Sequence, residues 1–165
     1  MSFNRILLCY DTTREGRRAL RYGADLAQQL GAQTHLLAVR DNAYLTVGYD
    51  VLVAQAAEAE EQLAKDILHE GVERLKARGV SATGYFAIGN PLDQIPHFAE
   101  RLKADLIVVG HKPCGVLARW WNGPGNGLLL DRVKCSVLVA IAPVDDPADV
   151  LAEAAADEPA QEPVR

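Results

Sequence analysis

Five apolar runs separated by helix-patterned segments place this chain among the three-layer α/β/α sandwiches, with a five-stranded parallel sheet. Two further observations support that class. RILLCY and SVLVAIA lack polar alternation, as strands do when helices cover both faces of a sheet. More than a dozen residues separate successive runs, enough for right-handed crossovers between parallel neighbours.

The first strand is expected at Arg5–Tyr10. A helix follows, with Thr12 as its N-cap and Glu15 completing a capping box. Leu20, Gly23, Ala24, Ala27 and Leu30 recur at helical spacing as one apolar stripe, and Gly31 is the stop. Gln33–Val39 is the second strand, and a connection, RDNAYLTVGYD, leads to a long helix over Val51–Arg78. Ala56, Ala59, Leu63, Ile67 and Leu75 share a face of that helix, which Gly79 ends. Val80–Ala87 is the third strand. The turn GNP then opens a helix, with Asn90 as N-cap and Pro91 at its first position. Leu92, Ile95, Ala99 and Leu102 form its stripe, while Pro96 should kink it or delay its start. Asp105–Val109 and Ser136–Ala142 are the last two strands.

The chain of 165 residues is long enough for one domain with a substantial core, and 49% apolar and 24% charged residues are globular proportions. Residues 1–142 form the expected domain. Residues 143–165 form an Ala- and Pro-rich tail with seven acids and one base, a sum of −6 that leaves the body at about +1. The body has no basic stripe, which argues against nucleic-acid binding. No apolar run is long enough to cross a bilayer, and the N-terminus reads as a strand rather than a signal peptide. Cys9, Cys114 and Cys135 are scattered, without metal-ligand spacing, and are expected as reduced thiols in a cytoplasmic protein.

Val108–Leu130, VVGHKPCGVLARWWNGPGNGLLL, carries five glycines, two prolines and a tryptophan pair. Asp11 directly after the first strand, the GNP turn after the third, and VVG opening this stretch resemble the universal stress proteins over residues 3–142. The resemblance implies the adenine nucleotide alpha hydrolase-like fold. Its nucleotide-binding branch carries Gly, two residues, Gly, nine residues, Gly, then Ser or Thr. Counting from Gly110, Pro113 stands at the second glycine, Gly123 matches the third, and Pro124 replaces the hydroxyl. A phosphate cradle works by aiming backbone N–H groups at an anion, and each proline removes one. The stretch therefore reads as a degraded cradle, closer to the A-type branch that lacks the loop.

The resemblance implies a non-catalytic homodimer, joined through the last strand at Val137, Val139 and Ile141, that acts on unidentified protein partners and requires no cofactor. The alternative is a regulatory switch binding ATP or AMP with Mg. Its contacts would be Asp11, Val39, Gly110, Gly115, Gly123, Gly125, Asn126 and Gly127, with Lys112 supplying charge. A second alternative is a nucleotide hydrolase in the same cleft. His111 and Cys114, three apart, could be imagined as base and nucleophile, but no orienting group accompanies them. Trp120 and Trp121 could stack on a base, or pack the loop onto the body or a partner. His35, His69 and His97 have no partner visible in the sequence.

Overall fold

The computed structural model describes residues 3–10, 12, 16–17, 20–41, 51–111 and 129–141. Its elements are β1 (Arg5–Tyr10), α1 (Arg21–Leu30), β2 (Gln33–Arg40), α2 (Val51–Ala77), β3 (Ala82–Ile88), α3 (Pro91–Leu102), β4 (Leu106–His111), α4 (Leu129–Arg132) and β5 (Ser136–Ile141). The five strands form one parallel sheet in the order β3-β2-β1-β4-β5.

Strand alternation divides the core. Ile6, Leu8 and Tyr10 face one way and pack with Ala24 and Ala27 of α1 and Ile67, Leu68, Val72 and Leu75 of α2. Leu7 and Cys9 face the other way, against Leu92, Ile95, Phe98 and Ala99 of α3 and Leu129 of α4. Every side chain from Ile6 to Tyr10 is buried, so β1 needs apolar residues at each position. At Gly23 the backbone of α1 lies close to the sheet. A Cβ there would come within 2.8 Å of Leu8 Cδ2 and 2.9 Å of Val108 Cγ1.

Both expected glycine stops are present. Gly31 (φ 61°) and Gly79 (φ 78°) take left-handed conformations at the ends of α1 and α2. Ala32 N bonds to Ala27 O and Val80 N to Leu75 O, closing each helix. This accounts for the later start of β3: Val80 belongs to the helix stop, and the strand runs Ala82–Ile88 rather than Val80–Ala87. Strand β4 begins at Leu106 rather than Asp105, whose carboxylate caps the start of β1. Its oxygens accept from Asn4 N at 2.8 Å and Arg5 N at 3.0 Å, pinning the start of β1.

Four expectations need correction. Thr12 has φ 67°, whereas an N-cap is extended. Glu15 lies outside the described residues, and α1 begins at Arg21 with no side-chain cap. On α2, Leu63 is 55% exposed and Ala59 is exposed; the buried face is Ala64, Ile67, Leu68, Gly71, Val72 and Leu75. Ile67 and Leu75 are buried as expected, but the rest of the face lies about 100° round from Leu63, because alanine and leucine fit either face of a long helix. Leu30, assigned to the stripe of α1, is 38% exposed. Pro96 does not delay α3, which starts at Pro91 and contains it. Ala142, Trp120, Trp121, Cys114 and the tail 143–165 lie outside the described residues.

Candidate functional site at the switch between β1 and β4

From β1 the chain moves outward to β2 and β3; from β4 it moves the opposite way to β5. The carboxyl ends of β1 and β4 are therefore neighbours at the topological switch, with Cys9 paired to Val109. Connections leaving such a point diverge to opposite faces, and the crevice between them is where open α/β sheets bind ligands.

The sequence candidates divide at this crevice. Asp11 follows Tyr10 directly but lies outside the described residues. Gly110 is buried in β4 and pairs with Ala140 of β5. Pro113, Gly115, Gly123, Pro124, Gly125, Asn126 and Gly127 lie outside the described residues, as do Lys112 and the side chain of His111. Leu129 of α4 is fully buried. Val39 lies inside the sheet, at the end of β2. Its side chain is 1% exposed and packs with Leu7, Leu37 and Ile95, so only its backbone could meet a ligand.

Two rim features escaped the sequence reading. Thr12, one residue beyond Asp11, holds φ 67°. A β-branched residue pays for that conformation, and such strain concentrates at functional sites. Nothing in the residue type announces it. Arg40, at the end of β2, is half-buried, and its Nη1 donates to Ala57 O at 2.9 Å. Its own carbonyl accepts from Gly89 N at 2.9 Å, joining the ends of β2 and β3.

The turn after β3 is as read. Asn90 is extended, and its Oδ1 accepts from Leu92 N at 2.9 Å. Gly89 has φ 137°, where a Cβ would stand 3.1 Å from Gln94 Nε2. The Asn90 Oδ1 thus satisfies an orphan N–H of α3.

The titrating groups described near the sheet are poorly suited to nucleophilic work. Burial, with a smaller contribution from Cys135, pushes the Cys9 thiol far above its ordinary value, so Cys9 stays protonated and inert. The Cys135 thiol is raised too, by burial and then by Asp105. His35 is buried in β2, and burial, then Arg5, lowers its pKa. His69 and His97 are exposed on α2 and α3. Among the described residues no group of three or more His, Cys, Asp or Glu could hold a metal, and no helix is long and apolar enough to cross a membrane.

The model of the universal stress protein family matches residues 2–141. This chain belongs to that family. A universal stress protein of Synechocystis is 22% identical over 151 residues, covering 84% of this chain and 98% of that one. Among solved structures, the universal stress protein UspA of Lactobacillus plantarum aligns with a TM-score of 0.65 at 23% identity, covering 85% of this chain and 99% of that one. The universal stress protein of Archaeoglobus fulgidus in complex with dAMP aligns with a TM-score of 0.54 at 19% identity, covering 84% and 98%. At these identities the structural likeness establishes the shared fold.

Proposed function

We propose that this universal stress protein is a cytoplasmic homodimer that acts in the stress response through protein partners, without turnover, and that its functional unit is residues 1–142 with 143–165 as an appendage. One observation carries the reading. Strand β5 hydrogen-bonds to β4 on one side, yet Leu138 and Val139 on its two faces are 39% and 40% exposed. An apolar edge with unpaired backbone groups is a template for association, and a two-fold axis beside it lets the same strand serve both copies. Of the three residues read as the contact, Val137 is half-buried and packs on the core, Val139 is available, and the side chain of Ile141 lies outside the described residues. Sedimentation equilibrium should give twice the chain mass; a monomer at high concentration sinks the reading.

A second reading, a switch binding ATP or AMP with Mg, has its own support. A relative of the same fold is in complex with dAMP, and open α/β sheets bind ligands at the switch point that β1 and β4 form here. The described residues supply backbone at Gly110 and Val39 but no cluster of metal ligands, so Mg would depend on Asp11 and the phosphates. Pro113 and Pro124 weaken the cradle, since each hydrogen bond to a charged group is worth roughly 1.5–3 kcal/mol. Mass spectrometry of small molecules released on denaturation separates the readings: no nucleotide is expected, and stoichiometric adenine nucleotide favours the switch. If the prolines are the cause, Pro113→Gly with Pro124→Ser raises affinity for Mg-ATP in calorimetric titration; no gain refutes that cause. A hydrolase in the same crevice would show turnover of ATP, and none is expected.

A further inference from the structure

Pro96 stands inside α3 and has no N–H to give. The bond it omits is the one that would end on the carbonyl four residues earlier, Leu92. That carbonyl accepts instead from Arg132 Nη1 at 3.3 Å, and the same nitrogen donates to Asp93 Oδ1 at 2.6 Å. Arg132 is the last residue of α4. Leu129, at the other end of α4, is fully buried in the cluster that contains Leu92 and Ile95.

We propose that Pro96 and Arg132 form a latch: the proline opens a gap in the hydrogen-bond ladder of α3, and the arginine of α4 closes it. Each half explains the other. A proline within a helix leaves an acceptor exposed, and a buried acceptor without a donor is costly. The freed carbonyl in turn gives the C-terminal end of α4 a polar anchor on α3 beyond the apolar contact of Leu129. The latch fastens the chain where it returns from the Gly110–Gly127 stretch and leads into β5. It holds whether the protein is a dimer or a nucleotide switch, because neither a partner nor a ligand enters the geometry.

The ion pair with Asp93 is a minor part, since the Asp93 side chain is 63% exposed and water screens it. The distinctive part is the dependence on proline. Restoring an amide at position 96 returns to the Leu92 carbonyl its own helical donor and makes Arg132 largely redundant.

Four chains test this: the wild type, Arg132→Met, Pro96→Ala and the double variant, compared by thermal unfolding and by hydrogen exchange of the amides in Leu129–Arg132. Arg132→Met should lower the melting temperature by about 4 °C for a chain of this size and speed exchange in α4. In the Pro96→Ala background the same change should cost less than half as much. Equal losses in the two backgrounds overturn the latch, as does Arg132→Met with neither a lower melting temperature nor faster exchange. If Arg132→Met does not fold, a folded double variant supports the latch and an unfolded one overturns it.

Discussion

The two edges of the sheet are built on opposite plans. Along β3 the residues are small or polar at Ala82, Thr83 and Gly84, and cations stand over the aromatic ones. Lys65 Nζ lies 5.5 Å from the Phe86 ring on one face. On the other, the Arg101 guanidinium lies 5.7 Å from Tyr85 and 4.6 Å from Phe98. Ile88, 40% exposed at the far end of the strand, is the exception. Along β5 the sequence is SVLVAI, and no cation–ring guard stands over it among the described residues. Charged residues beside an edge make pairing with another chain unfavourable, while a bare apolar edge invites it. The comparison teaches that the fold guards one edge of a sheet by bringing cations over its rings and leaves apolar side chains bare at the other.

The largest effect is expected from placing the same charge at each edge. Val139→Lys puts a cation against its mate across the proposed two-fold axis. Like charges so juxtaposed cost several kcal/mol. Sedimentation should show a monomer, with an unchanged far-ultraviolet spectrum because Val139 is already 40% exposed. Thr83→Lys on the exposed position of β3 should leave mass and stability within about 0.5 kcal/mol of the wild type. A folded Val139→Lys dimer would move the interface elsewhere, with the segment around Trp120 and Trp121 the next to test.

Gly84→Val should come next, acting on stability rather than assembly. A Cβ at Gly84 would lie 2.9 Å from Val72 Cγ2 and 3.3 Å from Leu68 Cγ, so α2 sits directly on this strand. Overpacking there should cost about 1–3 kcal/mol, read from the urea midpoint. An unchanged midpoint would show that α2 can move off β3, and that the edge is held less firmly than its packing implies.

A pH effect is expected on the same side of the molecule. His35 lies behind β3, its ring centroid 5.7 Å from that of Tyr85, and its Nδ1 is buried without a hydrogen-bond partner. Burial first, and Arg5 second, hold its pKa below the ordinary value. The unfolded chain therefore takes up a proton that the folded chain resists. Stability from this site is full above the unfolded pKa of about 6.5 and declines as pH falls through it. His35→Leu should flatten that acid decline in urea midpoints taken between about pH 5 and 8. Parallel profiles for the two chains would assign the decline to other groups.

The smallest effect is expected from Arg101→Met, which removes the cation over Tyr85 and Phe98 and should cost about 0.5–1 kcal/mol. Its value is in the mass. If Arg101 helps to guard β3, the variant should form larger assemblies at high concentration than the wild type. Unchanged sedimentation would leave Lys65 and the short side chains as the guards.

The sequence by itself determined the parts of this protein that rest on neighbouring residues. Apolar runs placed all five strands to within two residues, because burial on both faces removes polar alternation. Gly31, Gly79, Asn90 and Pro91 marked helix ends through backbone conformations and caps that each residue favours locally. The order of Asp11, the GNP turn and VVG pointed to the family that the whole-chain match establishes. Tertiary structure alone decided which strands are neighbours, and hence that the ends of β1 and β4 meet at one crevice. It turned Val39 inward and chose the buried face of α2, where Leu63 and Ala59 look outward. It set Arg132 against the carbonyl that Pro96 leaves open, 36 to 40 residues away along the chain. It also separated a guarded edge from an open one. The physical reason is the range of the interactions: capping and periodicity act within a few residues, whereas pairing, burial and the use of a spare carbonyl depend on segments that only the folded chain brings together.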